Sequence, residues 1–257
     1  MDITSLQNPR VKHIVKLRDD KRTRRTDGLM LVEGHDEIEL ALSSGNKPQT
    51  LISSPELITH QIAGVSAEML SVSRTVFEKI SYRENPDGWL AVFPIPHASL
   101  AALKLSENPF IIVAESIEKP GNLGAIMRTA DAARIDAVLL CDPRVDPWNP
   151  NVVRASRGAV FTVPVIETEN AAAMEWLKSR KMRILAATPA ADIPYTDVDL
   201  RESIAVAVGT EDEGLTDFWL SNADLRVKIP MLGKVNSLNV SVSTALIVYE
   251  AIRQRSS

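Results

Sequence analysis

Three segments in the second half of the chain place polar side chains next to glycines, at the ends of apolar runs. The first is KPGNLGAIMRTADAA, which contains Asn122 and Arg128. The second, GTEDEGL over residues 209–215, sets three acids between two glycines, and the third is IPMLGKVNSLNVSVSTALIVYE over residues 229–250. Ligands of open α/β sheets bind at the loops beyond the carboxyl ends of the strands. The three segments together therefore predict one ligand site.

The first two segments favour different chemistry. Asn122 is predicted to cap the helix of the first segment. A guanidinium such as that of Arg128 can hold a phosphate through two hydrogen bonds, and a surface or structural ion pair is its alternative role. The second segment has no lysine or arginine, and the carboxylates of Glu211, Asp212 and Glu213 would repel a phosphate. This segment suits a positively charged or hydroxyl-bearing ligand.

The third segment opens a strongly periodic helix with polar residues. Ser237 and Asn239 lie at the mouth of this helix, where backbone N–H groups lack helical partners and can hold a small polar ligand. An ordinary capped helix is the alternative interpretation of this segment alone. The buried face of the helix is predicted from apolar residues spaced three and four apart, which are Leu238, Val242, Ala245, Leu246, Tyr249 and Ile252.

Composition and missing motifs exclude several classes of protein. No G-x-G-x-x-G sequence follows an early strand, so a nicotinamide cofactor is not expected. All 4 histidines precede residue 98 without metal-ligand spacing, which excludes a histidine triad in the second part and predicts no metal. No apolar run is long enough to span a bilayer, and the lone Cys141 cannot form an internal disulfide. The expected compartment is the cytoplasm.

The net charge of −4 hides a basic segment near the N-terminus, opposed only by Asp19 and Asp20. A local cluster rather than the global sum determines phosphate affinity. Charge runs are, however, more commonly solvated helix faces, so both interpretations stay open. The basic residues of the segment are Arg10, Lys12, Lys16, Arg18, Lys21, Arg22, Arg24 and Arg25.

The order of apolar strands and amphipathic helices predicts an α/β protein of two domains. Residues 1–97 alternate β and α, residues 98–107 form a linker, and residues 108–257 form a doubly wound domain with a parallel sheet. In the first domain the pattern predicts an opening helix followed by a basic turn, a helix that starts at Pro55 and a strand at Val72.

The three segments, in their order and spacing, resemble the three motifs of the SpoU (TrmH) family of RNA ribose 2′-O-methyltransferases. The resemblance covers residues 108–255. The sequence LMLVEGHDEIELALSSG resembles the small α/β RNA-binding domain that precedes the catalytic domain in many ribosomal-RNA members, and RASRGAVFTVPV resembles a further family segment. The resemblance implies an S-adenosylmethionine-dependent enzyme of the SPOUT superfamily, with a deep trefoil knot and a homodimer in which both subunits shape each active site.

The resemblance also implies roles for individual residues. The polar active-site positions are Asn122, Arg128, Glu211, Ser237 and Asn239. The cofactor-binding positions are Thr188, Gly209, Ile229, Met231, Gly233 and Leu238. The residues expected to contact RNA are Arg10, Lys12, Arg22, Arg24, Arg25 and His35.

One position departs from the family, which usually has glycine where this chain has Asp212 after Glu211. The second acid puts the tightness of this turn in question. Family mechanisms favour the arginine matching Arg128 as the base, whereas its permanent charge favours a phosphate-binding role with Glu211 or Ser237 in the proton path. The expected substrate is ribosomal RNA, of the 23S type. A transfer-RNA substrate and a non-catalytic RNA-binding protein are the alternatives, and the acidic second segment disfavours a nucleotide-binding enzyme.

Overall fold

The computed structural model describes residues 2–210 and 212–256, so the predicted active-site residue Glu211 lies outside the described residues. The chain divides into two compact units, each with its own sheet and apolar core. The first unit is Met1–His97 with Asp146–Thr162, and the second unit is Ala98–Val145 with Val163–Ser257.

Helices and strands alternate along much of the chain, as the spacing of its apolar runs predicted. Numbered in chain order, the helices are α1 (Pro9–Asp19), α2 (Lys21–Asp27), α3 (His35–Ser43), α4 (Arg74–Ile80), α5 (Pro120–Ala132), α6 (Pro150–Ala155), α7 (Asn170–Ser179), α8 (Asp217–Asn222) and α9 (Val240–Arg255). The strands are β1 (Leu29–Glu33), β2 (Thr50–Ser53), β3 (Glu68–Ser71), β4 (Trp89–Pro94), β5 (Phe110–Glu115), β6 (Ala137–Cys141), β7 (Val165–Thr168), β8 (Arg183–Ala187), β9 (Ile193–Pro194), β10 (Ile204–Val208) and β11 (Leu225–Lys228).

The sheet of the second unit is parallel, which confirms the predicted α/β class. Its strand order is β7-β6-β5-β10-β8-β11-β9, and its pairings are parallel. The central strands β5 and β10 are buried along their whole length, the pattern of a sheet packed on both faces. Parallel pairing brings the carboxyl ends of the strands to one edge. The segments after β5, β8, β10 and β11 therefore start from the same edge of this sheet.

The sheet of the first unit is mixed. Its order is β1-β4-β2-β3, with β4 antiparallel to both β1 and β2, and β2 parallel to β3. Strand β4 is the central strand, and its first five residues, WLAVF, are buried. The apolar sides of α1 and α4 complete this core through residues such as Leu17 and Phe77.

The basic segment near the N-terminus is helical where a turn was predicted. Helix α2 begins at Lys21 because the Asp20 carboxylate accepts hydrogen bonds from the backbone N–H groups of Arg22 at 3.1 Å and Thr23 at 2.8 Å. Such a cap satisfies donors that have no helical partner. Helix α2 ends at Gly28, whose φ of 66° favours glycine.

The structure differs from the predicted division into domains at residues 146–162, which were expected in the second domain and belong to the first unit. The reason is a buried ion pair and an apolar face. The Arg24 guanidinium donates through Nε and Nη2 to Asp146 Oδ2 at 2.8 and 2.7 Å. Helix α6 packs against β1 with Val152 and Val153 fully buried.

The predicted linker, residues 98–107, belongs to the second unit. Its apolar residues Leu100, Leu103 and Leu105 pack against the core of that unit. The Trp176 indole N–H also donates to the carbonyl of Leu100 at 2.9 Å. Because the segment has few apolar residues, the sequence did not indicate that its leucines would be packed. The segment contacts the core of the second unit and does not act as a spacer.

The predicted buried face of α9 is wrong for the single chain. Val242, Leu246 and Tyr249 are exposed, Tyr249 by 50%. The helix has two apolar stripes, and the stripe that contains Thr244 is the buried one. The Thr244 hydroxyl donates to the carbonyl of Val240 at 2.7 Å, so this polar group is satisfied in the core. The buried residues of the helix are Val240, Thr244, Ile247, Val248 and Ala251.

Smaller differences lie in the first unit. Residues 55–57 form a turn rather than the helix predicted to start at Pro55, and the strand predicted at Val72 is β3, which ends at Ser71. Short strands such as β3 and β9 have too few apolar residues for a clear pattern. Within residues 2–210 and 212–256, no helix has the length and apolar character that crossing a membrane requires.

Candidate active site

A cavity of about 360 Å³ lies at the carboxyl edge of the second unit's sheet. Its walls come from the segments that follow β8, β10 and β11, and from the start of α9. Of the residues predicted to bind cofactor or act in the site, the structure brings several together in these walls. They are Thr188, Gly209, Ile229, Met231, Ser237 and Leu238.

The segment of residues 209–215 forms a closed turn in the cavity wall. Thr210 and Gly214 exchange backbone hydrogen bonds of 3.1 and 3.2 Å, and Gly214 has a φ of 72°. A Cβ on Gly209 would come within 2.1 Å of the carbonyl of Gly214, so only glycine fits there. Asp212 and Glu213 are exposed at the turn and line the cavity. The turn is therefore tight, even though Asp212 replaces the glycine of the family.

A buried carboxylate that sequence reasoning missed anchors the exit of this turn. Glu115, at the end of β5, is 1% exposed. Its Oε2 accepts from the backbone N–H of Thr216 at 2.8 Å, and its Oε1 accepts from the Thr216 hydroxyl at 2.7 Å and from Asn170 Nδ2 at 2.9 Å. The Asn170 amide oxygen in turn accepts from the Trp219 indole at 2.6 Å. An acid that ends a fully apolar strand was the signal in the sequence.

Two predicted active-site residues meet directly. Asn239 donates through Nδ2 to Asn122 Oδ1 at 3.0 Å, which joins the first and third segments. Asn239 is the N-cap of α9, and its Oδ1 accepts from the Ser241 backbone N–H at 2.9 Å. Asn122 is not the cap predicted from the sequence, because α5 begins earlier, at Pro120, with Lys119 in the N-cap position. The side chain of Asn122 therefore contacts Asn239 instead of capping its own helix.

A second, smaller cavity of about 110 Å³ adjoins the first. The two share the wall formed by Thr210, Asp212, Glu213 and Val240. The remaining walls come from the segments after β5 and β6, and Asn122 lines this smaller cavity. The arrangement provides one pocket with apolar and backbone groups beside another that is mainly polar.

Comparison with known proteins identifies the source of this arrangement. Residues 109–249, more than half of the chain, match the SpoU rRNA Methylase family. The chain belongs to this family. Residues 8–91 match the MRM3-like substrate binding domain. The two matches begin and end near the sheets of the two units, so the SpoU part corresponds to the parallel sheet and its cavities.

Individual relatives match this SpoU chain over its whole length. The 23S rRNA (guanosine(2553)-2′-O)-methyltransferase RlmP of Bacillus subtilis (strain 168) is 31% identical over 96% of this chain and 97% of that protein. A crystal structure of an RNA 2′-O ribose methyltransferase has a TM-score of 0.89 and 39% identity, covering 100% of both chains. An AdoMet-bound rRNA methyltransferase from Sinorhizobium meliloti has a TM-score of 0.89 and 28% identity, covering 98% of this chain and 97% of that one.

Three residues predicted from the SpoU motifs, Arg128, Gly233 and Asn239, line neither of the two cavities. Arg128 is exposed on α5, and its guanidinium makes no hydrogen bond or ion pair with any residue that the structure describes. Gly233 is also exposed, and a Cβ there would meet nothing within 4 Å.

The predicted RNA-contacting residues of the first unit fall into two groups. Lys12 and Arg22 are exposed, and Arg10 is exposed while paired with Glu68 at 2.6 Å. Arg25 reaches Asp146 at 3.3 Å but remains partly exposed. These side chains can reach a phosphate.

The other group, Arg24 and His35, makes contacts within the protein. The Arg24 side chain is 2% exposed, and in addition to Asp146 it bonds the carbonyls of Leu17 and Arg18. We therefore remove Arg24 from the expected RNA surface. His35 is half-buried, with its backbone N–H bonded to Asp87 and its ring 3.2 Å from Asp36. Its position at the start of α3 is compatible with an edge of that surface.

The thiol of Cys141, near the site at the end of β6, is not a nucleophile. Burial, followed by the charges of Asp142 and Glu115, raises the pKa of this thiol to about 12. A neutral buried thiol behaves as a small apolar side chain, as the sequence predicted. Among residues 2–210 and 212–256, no group of three or more His, Cys, Asp or Glu side chains could hold a metal ion.

Proposed function

We propose that this SpoU protein transfers a methyl group from S-adenosylmethionine to a ribose 2′-hydroxyl of ribosomal RNA of the 23S type. The observation that carries the proposal is the pair of adjoining cavities built by the SpoU motifs at one sheet edge. A relative named as a 23S rRNA 2′-O-methyltransferase matches nearly the whole chain, and the first unit matches a substrate binding domain. Both matches favour a ribosomal over a transfer-RNA substrate.

The larger cavity fits S-adenosylmethionine in size and lining. Ligand pockets usually measure ~300–1,000 Å³ and combine apolar walls with a few polar groups. Gly209, Ile229 and Leu238 would hold the cofactor through backbone groups, and Thr188 and Met231 line the same pocket. The absence of a side chain at Gly209 lets the backbone of Gly214 come close and closes the turn beside the ligand.

The charge of the larger cavity also suits this cofactor. Its described lining contains no lysine or arginine, whereas Asp212 and Glu213 add carboxylates at one side. S-adenosylmethionine supplies, when bound, a methyl group activated by a positively charged sulfonium. Carboxylates near a cation favour its binding. Asp212, which departs from the family, therefore adds a favourable charge.

The polar residues of the motifs orient the acceptor hydroxyl and provide for its proton. Asn122 lines the smaller cavity, and its amide oxygen accepts a hydrogen bond from the amide of Asn239. Holding reacting groups in line can supply a large part of a rate enhancement. Arg128 binds an RNA phosphate, with Glu211 or Ser237 in the proton path. Arg128 acting as the base is the second version of this mechanism.

A homodimer completes the proposed active site. Arg128 does not line the cavities of its own chain, and the neighbouring helix α9 exposes the apolar residues Val242, Leu246 and Tyr249. Helices α5 and α9 pack together, so the guanidinium and the apolar stripe belong to one helical layer. An exposed apolar stripe of this kind is typical of a protein interface. In the proposed dimer, Arg128 of each subunit serves the cavity of the other.

Mixing two inactive variants tests this shared site. We expect that Arg128→Ala alone loses nearly all activity but still binds S-adenosylmethionine, and that Gly209→Ala alone cannot bind it. After subunit exchange, each heterodimer contains one intact cavity faced by one intact Arg128. Random pairing then predicts recovery of roughly a quarter of the wild-type activity. No recovery, although exchange is verified by native mass spectrometry, would mean that Arg128 serves its own cavity.

The proposal extends to the topology and the cellular location. Strand β10 lies between β5 and β8, and β11 lies beyond β8, so these neighbouring strands are not consecutive in the chain. The match to the SpoU family supports a deep trefoil knot formed by the segments after β10 and β11. The location that we propose is the cytoplasm, together with the ribosomal substrate.

Methylation of purified RNA tests the substrate. We expect label from S-adenosylmethionine to appear in 23S ribosomal RNA isolated from cells that lack the gene, and not in transfer RNA from the same cells. Label in transfer RNA alone would favour that alternative. A chain that binds no S-adenosylmethionine in calorimetry would instead be a non-catalytic RNA-binding protein on the SpoU scaffold.

A further inference from the structure

The smaller cavity contains a cation that the SpoU motifs do not include. Arg144, in the segment after β6, lines this cavity on the side away from the shared wall. Its guanidinium forms an ion pair with the Glu118 carboxylate, which lines the same cavity. Both side chains are about half exposed, at 54% and 49%. The pair therefore stands at the mouth of a pocket that opens onto the cofactor cavity.

The two sides of this cavity differ in charge. Asp212 and Glu213 belong to the wall shared with the cofactor cavity, whereas the remaining wall carries two cations, Lys119 and Arg144, and one acid, Glu118. A ribose with an attached phosphate has the matching polarity. Its hydroxyls can donate to carboxylates and to the Asn122 amide oxygen, and its phosphate would be repelled by the acids and attracted to the guanidinium.

The volume of about 110 Å³ suits a sugar ring. A ribose placed here has its hydroxyls on the side of the cofactor cavity, which methyl transfer requires.

We infer that the smaller cavity takes the ribose of the acceptor nucleotide, and that Arg144 exchanges Glu118 for a phosphate next to that ribose. The inference rests on the proposed function. An exposed ion pair contributes little to stability, so a bidentate bond to phosphate can replace it. Glu118 thus acts as an internal competitor that occupies the guanidinium until RNA arrives.

The two partners of the ion pair provide opposite tests. We expect Arg144→Gln to raise the KM for RNA about 10-fold, and to lower the slope of log KM against log salt by about 1, as for one lost phosphate contact. Glu118→Gln removes the competitor, so it should not raise this KM and should lower it by up to about 4-fold. Neither change should alter the dissociation constant of S-adenosylmethionine by more than about 2-fold.

Arg134→Gln is the matched control, since it removes an exposed arginine of the same unit that lines neither cavity. It should leave KM and its salt dependence unchanged. The inference is overturned if Arg144→Gln behaves like this control, or if Glu118→Gln raises KM as Arg144→Gln does, which would indicate a merely structural ion pair. Wild-type methylation of RNA is measured in the same series. Failure of the proposed function would appear there, independently of the variants.

Discussion

Two segments form opposite parts of the cofactor cavity, and they are held in different ways. Residues 209–215 are closed by backbone bonds between Thr210 and Gly214, and the Glu115 carboxylate fixes the exit at Thr216. Residues 229–238 make no hydrogen bonds to other backbone groups in the part of the chain that the structure describes. Leu232 in this segment is 98% exposed.

The comparison shows that the two walls differ in the number of backbone hydrogen bonds that hold them. A segment with internal hydrogen bonds and buried anchors keeps its shape without a ligand, whereas a segment with few contacts opens at low cost in free energy. We therefore expect residues 229–238 to respond more strongly to bound ligand than residues 209–215 do. Each of the following predictions tests this contrast.

The largest effect is expected from adding one methyl group at Gly209, in the wall that is closed by backbone hydrogen bonds. Gly209→Ala places a Cβ against the carbonyl of Gly214 and distorts the turn. We expect the affinity for S-adenosylmethionine, measured by calorimetry, to fall about 100-fold or more, which corresponds to ~3 kcal/mol.

Gly233→Ala is the matched change in residues 229–238, the segment without backbone hydrogen bonds to the described parts of the chain. A Cβ at Gly233 meets nothing within 4 Å, so the affinity should change by less than about 3-fold. Equal losses in the two variants would contradict the contrast between the walls. Circular dichroism melting of both variants checks that the sheet remains folded.

An intermediate effect is expected from the buried anchor. Glu115→Gln places an amide N–H group against donors, because the carboxylate now accepts from Thr216 and Asn170. An unsatisfied buried donor costs ~1–3 kcal/mol, so the dissociation constant of the cofactor should rise about 10-fold. A wild-type dissociation constant in Glu115→Gln would show that Glu115 does not hold the turn in its binding conformation.

The Thr216 hydroxyl gives a graded check of the same anchor. Thr216→Val removes only the 2.7 Å hydrogen bond to Glu115 and should weaken cofactor binding by about 2- to 10-fold. Thr216→Ser retains that bond and serves as the control. A role limited to general stability would lower the melting temperature of Thr216→Val without changing the ratio of kcat to KM for the cofactor at lower temperature.

The smallest effect is a difference in dynamics. Amide hydrogen exchange, followed by mass spectrometry, should slow in residues 229–238 when S-adenosylmethionine is added. The exchange of Thr210 and Gly214 should already be slow without it, because each N–H group is bonded to the other residue's carbonyl. Equal slowing of both segments would show that the turn is also shaped by the ligand.

The same contrast explains what the sequence could predict. Fully apolar strands such as β5 and β10 follow from local composition, and parallel strands force their carboxyl ends to one edge. The meeting of the three segments could therefore be predicted, since it depends on strand order of a common kind rather than on particular contacts. The cofactor-binding roles of single residues remain predictions.

Other features depend on contacts between residues far apart in the chain, which no local pattern contains. Arg24 sits in a basic run, and only its pairing with Asp146, 122 positions away, decides that it is buried. Helix α9 has two apolar stripes, and packing alone chooses the one that contains Thr244. Glu115 likewise acquires its role from Thr216, 101 positions away.

Nucleoside analysis of reacted RNA tests the central claim most directly. Ribosomal RNA from cells without the gene would be incubated with the protein and isotopically labelled S-adenosylmethionine, digested, and examined by liquid chromatography and mass spectrometry. We expect the label in a nucleoside methylated on its ribose 2′-oxygen. Label on a base, or no transfer by a protein that binds the cofactor, would contradict it.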